Sequence, residues 1–292
     1  MKNRVFFINR GKTYAENGDY DRAIADFNMA LSLNTKDPTE YFERALAHAK
    51  RGHPDWAIVD FNQILSINHD LAKAHFDRGN TYNEKGDYDR AIYDFTKVLS
   101  LIPDCTDAYY NRGNAYTDKG DYDHAIDDFN KVLSLKPDFA EAYGNRGNAY
   151  YKKGDYDKAI ADYNKILSID PNSVQTYHNR GEAFYRKGDY DRALDDYNKV
   201  LSFDPNDADA FIQRGTAYSK KGNYDYAISD YSNSLNINPN NADAYIFRGI
   251  NYIFKRDIDK ARQDYIKAKR LGHPGAQEML DMLDEYRAKT GH

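Results

Sequence analysis

The sequence predicts an all-α solenoid of stacked helical hairpins, and three observations predict it. From Arg4 onward the chain repeats every 34 positions without insertion or deletion, with copies starting at Arg4, Pro38, Ala72, Thr106, Ala140, Val174, Ala208 and Ala242. Each copy holds two blocks of helical periodicity separated by a Gly-Asp turn signal. Small residues recur in fixed columns, which lets paired helices approach closely. A fixed period of this length is the signature of one supersecondary unit stacked on itself.

The copy at Ala140–Ser173 shows the logic, counting slots from 1 at each start. Slots 2–14 (Glu141–Lys153) place Tyr143, Gly147 and Tyr150 on one stripe of a first helix. Gly154 closes that helix in the left-handed region. Asp157, at slot 18, is expected to cap the second helix, whose apolar stripe is Ala159, Ile160, Tyr163, Ile166 and Leu167. Pro171 stops it. Slot 8 is Gly in seven copies and Ala45 in the other, slot 20 is Ala throughout, slot 24 is Phe or Tyr, and slot 18 is Asp.

The copies, taken in order, differ at the ends. In the first, Phe6 fills a slot that is Ala in most others, and with no preceding hairpin it is expected to face solvent. The second is the most eroded, with Glu43, Leu46, His48, Pro54 and His69 replacing the usual residues. Copies three to seven are regular. The eighth has Arg256 at the turn Gly, and Phe247, Ile250 and Phe254 form an apolar stripe on its first helix, to be buried by the tail or offered to a partner. Leu271-Gly272-His273-Pro274 ends the array, and Ala276, Met279, Leu280, Leu283 and Tyr286 give the tail the spacing of a capping helix. The domain reading is eight repeats, 4–37, 38–71, 72–105, 106–139, 140–173, 174–207, 208–241 and 242–275, then a capping helix and tail at 276–292.

The aromatic, small, aromatic, then Ala, aromatic and Pro pattern in a 34-residue unit resembles the tetratricopeptide repeat (TPR), over nearly the whole chain. The resemblance implies a right-handed superhelix, first helices lining the concave face and second helices the convex one. It carries little information about purpose, since this fold hosts many partners. One departure stands out. Slot 7, usually Leu in the family, is Arg in every copy (Arg10, Arg44, Arg78, Arg112, Arg146, Arg180, Arg214, Arg248), and slot 23 is Asp in every copy. Antiparallel helices put these slots opposite each other, so an Arg–Asp pair is expected at each hairpin, as structural glue rather than as an anion groove.

The rest of the sequence narrows function by exclusion. A net charge of −5 gives no basic stripe for nucleic acid. Cys105 is the single cysteine, so neither a disulfide framework nor a Cys-rich zinc site can form. No apolar run approaches a membrane span, and the block Val5–Ile8 is too short for a secretory core, so a cytoplasmic location is expected. The histidines are scattered over different slots with no HExxH or phosphate loop, and His48 and His75 stand where other copies have rings, which reads as packing. No catalytic centre, metal or cofactor is expected.

Function is therefore sought where copies differ, on the first-helix face of slots 2, 5, 6, 9, 12 and 13. There Asn80, Asn111, Asn114, Asn145, Asn148 and Asn179 form two adjacent rows, flanked by Tyr110, Tyr151, His178 and Tyr185. An amide offers donors and an acceptor, so such rows can pair with an extended peptide backbone; they are similar to the asparagine ladder in the TPR superhelix of O-GlcNAc transferase. The family's clamp for acidic chaperone tails requires Lys at slot 5, which no copy has. The expected role is a non-catalytic scaffold for an extended peptide or helix of a partner protein. The alternative is a self-assembling module joined through Phe6 and the stripe of Phe247, Ile250 and Phe254.

Overall fold

The computed structural model describes residues 2–33 and 38–290, with side chains at 3–33 and 38–287. Every element among them is a helix. The hairpins are α1 (Lys2–Glu16) with α2 (Tyr20–Leu33), α3 (Pro38–Lys50) with α4 (Pro54–Ile67), α5 (Ala72–Glu84) with α6 (Tyr88–Leu101), and α7 (Thr106–Lys119) with α8 (Tyr122–Leu135). There follow α9 (Ala140–Lys153) and α10 (Tyr156–Ile169), then α11 (Val174–Lys187) with α12 (Tyr190–Phe203), α13 (Ala208–Lys220) with α14 (Tyr224–Ile237), and α15 (Ala242–Phe254) with α16 (Ile258–Arg270). The last helix is α17 (Ala276–Thr290). The chain divides into two compact units, residues 1–149 and 150–292. Within each, consecutive helices pair as helix–turn–helix hairpins that stack in chain order.

The small columns make the hairpin possible. A Cβ placed on Gly113 would come within 2.9 Å of the Phe129 ring, and one on Gly181 within 2.8 Å of Tyr197. Glycine thus makes room for the slot-24 ring of its own hairpin, and Phe27, Phe61, Phe95, Phe129, Tyr197 and Tyr231 are all buried beside the slot-20 alanines. In the first unit, α1, α3, α5 and α7 contact one another in succession; in the second, α11, α13 and α15 do the same. The even-numbered helices show no comparable mutual contact among the described residues, so in each unit the first helices form the closely spaced inner layer.

The turns follow the expected chemistry, with one correction. Gly120 closes α7 at φ +85°, and the other turn glycines take the same conformation. The cap of the second helix, however, is the Asp at slot 16. Asp155 accepts from the Lys158 amide at 3.3 Å, and Asp189 and Asp257 accept in the same way from Arg192 and Lys260. Slot 18, expected to be the cap, lies one position inside the first turn. Its exposed carboxylate instead reaches the next hairpin: Asp21 to Arg51 at 2.8 Å, Asp89 to Lys119 at 2.6 Å, Asp225 to Lys255 at 2.8 Å, and likewise Asp191 to Lys221. An Asp two positions earlier already holds the N-cap geometry, so the second Asp is free to bridge copies.

The Arg–Asp pairs form as forks. Arg214 donates through Nε to Asp230 Oδ2 at 2.8 Å and through Nη2 to Oδ1 at 2.7 Å. The same bidentate geometry recurs at Arg10–Asp26, Arg44–Asp60, Arg78–Asp94, Arg112–Asp128, Arg180–Asp196 and Arg248–Asp264. The remaining nitrogen reaches back to slot 25 of the preceding hairpin: Arg214 to Asn198 at 2.7 Å, Arg180 to Asn164 at 2.6 Å, Arg112 to Thr96 at 2.9 Å. The slot-4 ring covers the guanidinium, with Arg214 at 5.4 Å from the centre of Phe211. His75 takes that ring's place in the third hairpin and bonds Asp94 at 2.7 Å, so it packs as expected and also shares the carboxylate. Burial pushes the Asp128 carboxylate up from its ordinary range, against the opposing pull of Arg112.

At the C-terminal end, Ala276, Leu280 and Leu283 of α17 bury against Ile246, Ala261, Tyr265 and Ala268, closing the last hairpin. Slot 25 of that hairpin is Ile266, an apolar residue packed against this cluster. No slot-7 Arg follows to require a polar partner there.

Two measurements check these interactions. Arg214→Ala leaves the buried Asp230 carboxylate unpaired, and urea denaturation should show a loss of about 3–5 kcal/mol, with a smaller loss for Arg214→Leu with Asp230→Leu. A loss for the single variant below about 1 kcal/mol would mean that the pair behaves as an exposed one. Second, bonds from Lys158, Arg192 and Lys260 hold Asp155, Asp189 and Asp257 below the ordinary carboxylate range. Groups depressed on folding stabilise above the unfolded value of about 3.9 and lose that contribution as the pH falls through the folded ones. The triple variant with Asn at these caps should therefore be less stable than the parent near neutrality and lose less on acidification, so that the two converge below about pH 4. Parallel acid profiles would contradict this assignment.

Candidate functional site

On the first-helix face of unit 1, the expected asparagines come together in pairs across hairpins. Asn111 of α7 donates through Nδ2 to Asn80 Oδ1 of α5 at 2.8 Å. Asn145 of α9 donates to Asn114 Oδ1 at 2.7 Å and to the Tyr110 hydroxyl at 3.1 Å. The Tyr110 ring lies at 5.1 Å from Phe139. All six residues are partly exposed, and Asn148 is exposed. The pairing joins slot 9 of one copy to slot 6 of the next. Lys12 and Glu43, in those slots of the first two hairpins, form an ion pair at 2.9 Å.

The pairing leaves a particular remainder. Asn80 and Asn114 spend their carbonyl oxygens and keep their amide N–H groups; Asn111 keeps its carbonyl oxygen and one N–H, and Asn145 keeps its carbonyl oxygen. Donors and acceptors thus alternate along α5, α7 and α9, the pattern an extended backbone presents in return.

In unit 2 the face carries different chemistry. The Tyr151 hydroxyl donates to Glu182 at 3.1 Å, and burial, then the Glu182 charge, pushes that hydroxyl up from its ordinary value. Glu182 also accepts from Arg186 at 2.7 Å. His178 bonds Gln213 at 2.8 Å and Asp207 at 2.9 Å, which joins α11 to α13. Asn179 accepts from Gln175 on its own helix at 3.0 Å. Tyr185 lies tilted against Tyr190 with ring centres 5.5 Å apart, and burial raises its hydroxyl as well. Glu182, Gln213 and Asp207 were missed by sequence reasoning. Their signal was a polar residue in slots 6, 9 and 34 that broke the asparagine rows.

The residues proposed for association lie in different settings. Phe6 of α1 is 54% exposed, edge-on to Phe7 and under the Arg10 guanidinium at 4.9 Å. Of the α15 stripe, Phe247 meets Tyr231 at 5.8 Å and Ile250 packs on the cluster that α17 closes. Phe254 is 58% exposed and lies flat on Tyr224 at 4.7 Å. Among the described residues, no three His, Cys, Asp or Glu side chains gather as a metal site, and no helix is long and apolar enough to cross a membrane.

A stack of hairpins with a repeating interior and a varied first-helix face defines a helical-repeat binding scaffold. Family models agree. Those described as TPR repeat match residues 113–154, 147–188 and 181–222, and those described as tetratricopeptide repeat match 11–78, 72–105 and 208–241. The chain belongs to the tetratricopeptide repeat family. No curated protein matches it. Among solved structures, it is similar to MamA at 28% identity and TM-score 0.55, over 59% of this chain and 94% of that one. It is also similar to a tetratricopeptide repeat protein from Parabacteroides merdae at 21% identity and TM-score 0.54, over 97% and 99%. YrrB, described as a TPR protein with an unusual peptide-binding site, matches at 24% identity and TM-score 0.54, over 67% and 97%.

Proposed function

We propose that this protein is a non-catalytic scaffold that holds an extended peptide or helix of a partner protein against its first helices. The observation that carries the reading is the alternation of unused donors and acceptors at Asn80, Asn111, Asn114 and Asn145. Side chains that recur in every copy satisfy one another, whereas these four keep capacity for a ligand backbone. Asn148, Tyr151, His178, Asn179 and Tyr185 extend the candidate set. In this reading the array comprises eight 34-residue repeats over 4–275 with a capping helix and tail at 276–292, and Arg stands where the family usually has Leu. The likeness to YrrB supports the fold; the peptide reading rests on the asparagine pairs. A cytoplasmic location is part of the same reading.

Fluorescence anisotropy with labelled members of a peptide array tests it. Alanine at Asn111, Asn145 and Asn179 should weaken binding about tenfold, the loss of several backbone hydrogen bonds at about 1 kcal/mol each offset by water. Unchanged affinity would refute the asparagine assignment. A second reading, association of copies through the terminal repeats, draws on the exposure of Phe6 and Phe254. It requires concentration-dependent mass in light scattering, reversed by Phe6→Ser; a monomer throughout would exclude it.

A further inference from the structure

We propose that the first-helix face of unit 2 ends in an apolar pocket for a bulky hydrophobic side chain of a partner peptide, with Arg256 binding an adjoining carboxylate. This names a subsite of the scaffold proposed above and rests on that reading. A cavity of about 780 Å³ opens between α15 and α17. Its walls include Ile250, Ile253 and Phe254 from α15 and Met279, Met282 and Tyr286 from α17. That volume lies in the range of ligand pockets. Phe254, Met282 and Tyr286 remain half or more exposed although a capping helix is already in place. Methionines give such a wall the adaptability to fit varied anchors.

The position matches the binding face. Ile250, Ile253 and Phe254 occupy slots 9, 12 and 13. Arg287 of α17 pairs with Asp259 as Lys255 pairs with Asp225 one hairpin earlier, but two residues sooner in the period. Ala276 is buried as the slot-3 alanines Ala210 and Ala244 are, also two residues sooner. α17 therefore lies as a further first helix displaced by two positions, which gives Met279 and Met282 the places of slots 6 and 9. Asparagines fill five of those six places in α5, α7 and α9, with Asp77 in the sixth. Here the same face is apolar.

Arg256 selects the occupant. It stands where the preceding turns have Gly, at φ +60°, a conformation that disfavours any residue with a side chain. It is the one cation in the pocket wall, and its guanidinium makes no hydrogen bond or ion pair among the described residues. An unpaired guanidinium beside apolar surface is complementary to a carboxylate. A second copy's α1 fits less well: it offers Val5 and Phe6 but carries Arg4, Arg10 and Lys12 against a single Glu16.

Panning a random-peptide phage library on the full chain tests the pocket. Enriched peptides should pair a bulky apolar residue with an adjoining Asp or Glu. Met282→Lys, an exposed position, should weaken them about tenfold, as loss of an anchor contact does. Arg256→Gly should raise the melting temperature by relieving the strained turn, yet weaken the acid-bearing peptides, leaving versions with Asn in place of the acid unaffected. Peptides that respond to Asn111→Ala with Asn145→Ala but not to Met282→Lys would overturn the pocket and spare the scaffold reading. No enrichment, or clones indifferent to both sets, would overturn both. Self-association abolished by Met282→Lys would assign the pocket to a second copy and refute the peptide occupant.

Discussion

The structure depends on one interaction, the guanidinium of slot 7 held by three neighbours. Its fork to the slot-23 carboxylate fixes the crossing of the two helices within a hairpin. Its third contact, to slot 25 of the preceding hairpin, fixes the stacking of one hairpin on the next. Burying a carboxylate such as Asp230 or Asp94 costs several kcal/mol of desolvation, and only near-complete pairing offsets it. The pair is thus a poor source of net stability and a strong source of register: a hairpin that slips leaves a buried charge unmet. Apolar burial around the slot-24 rings supplies the driving force, and the fork selects the geometry.

This division of labour separates two kinds of surface. Second helices spend their polar residues on the stack. Asn198 and Asn164 hold arginines, and Asp191 and Asp225 pair with lysines of the next copy. First helices bring only part of their inner face into such bonds. Asn80, Asn111, Asn114 and Asn145 bridge hairpins with one end of each amide, and in the proposed reading the other end meets the ligand. Toward the C-terminus the amides give way to Ile250, Ile253 and the methionines of α17, and the face changes from polar to apolar.

Much of the fold was legible because the period does not waver. Arg and Asp sixteen residues apart in every copy can only face each other in an antiparallel hairpin, and Gly opposite a ring at slot 24 announces close approach. What escaped was of two kinds. Asp recurs at both slots 16 and 18, and repetition alone cannot say which one caps; the local helix start at Tyr156 decides for Asp155. Contacts between copies were also missed, because reading one helix face at a time hides partners about thirty residues away. The Asn80–Asn111 and Asn114–Asn145 pairs are of this kind. A clue was present in Ile266: the last slot 25 turns apolar where no arginine follows it.

The most direct test of the account is side-chain amide NMR of the asparagines with and without a bound peptide. The account predicts that Asn80, Asn111, Asn114 and Asn145 shift on binding, while Asn62, Asn164 and Asn198, which lie on second helices and accept from Arg78, Arg180 and Arg214, stay fixed. Shifts concentrated at Asn62, Asn164 and Asn198, with Asn111 and Asn145 unmoved, would place the ligand on the opposite face and contradict it.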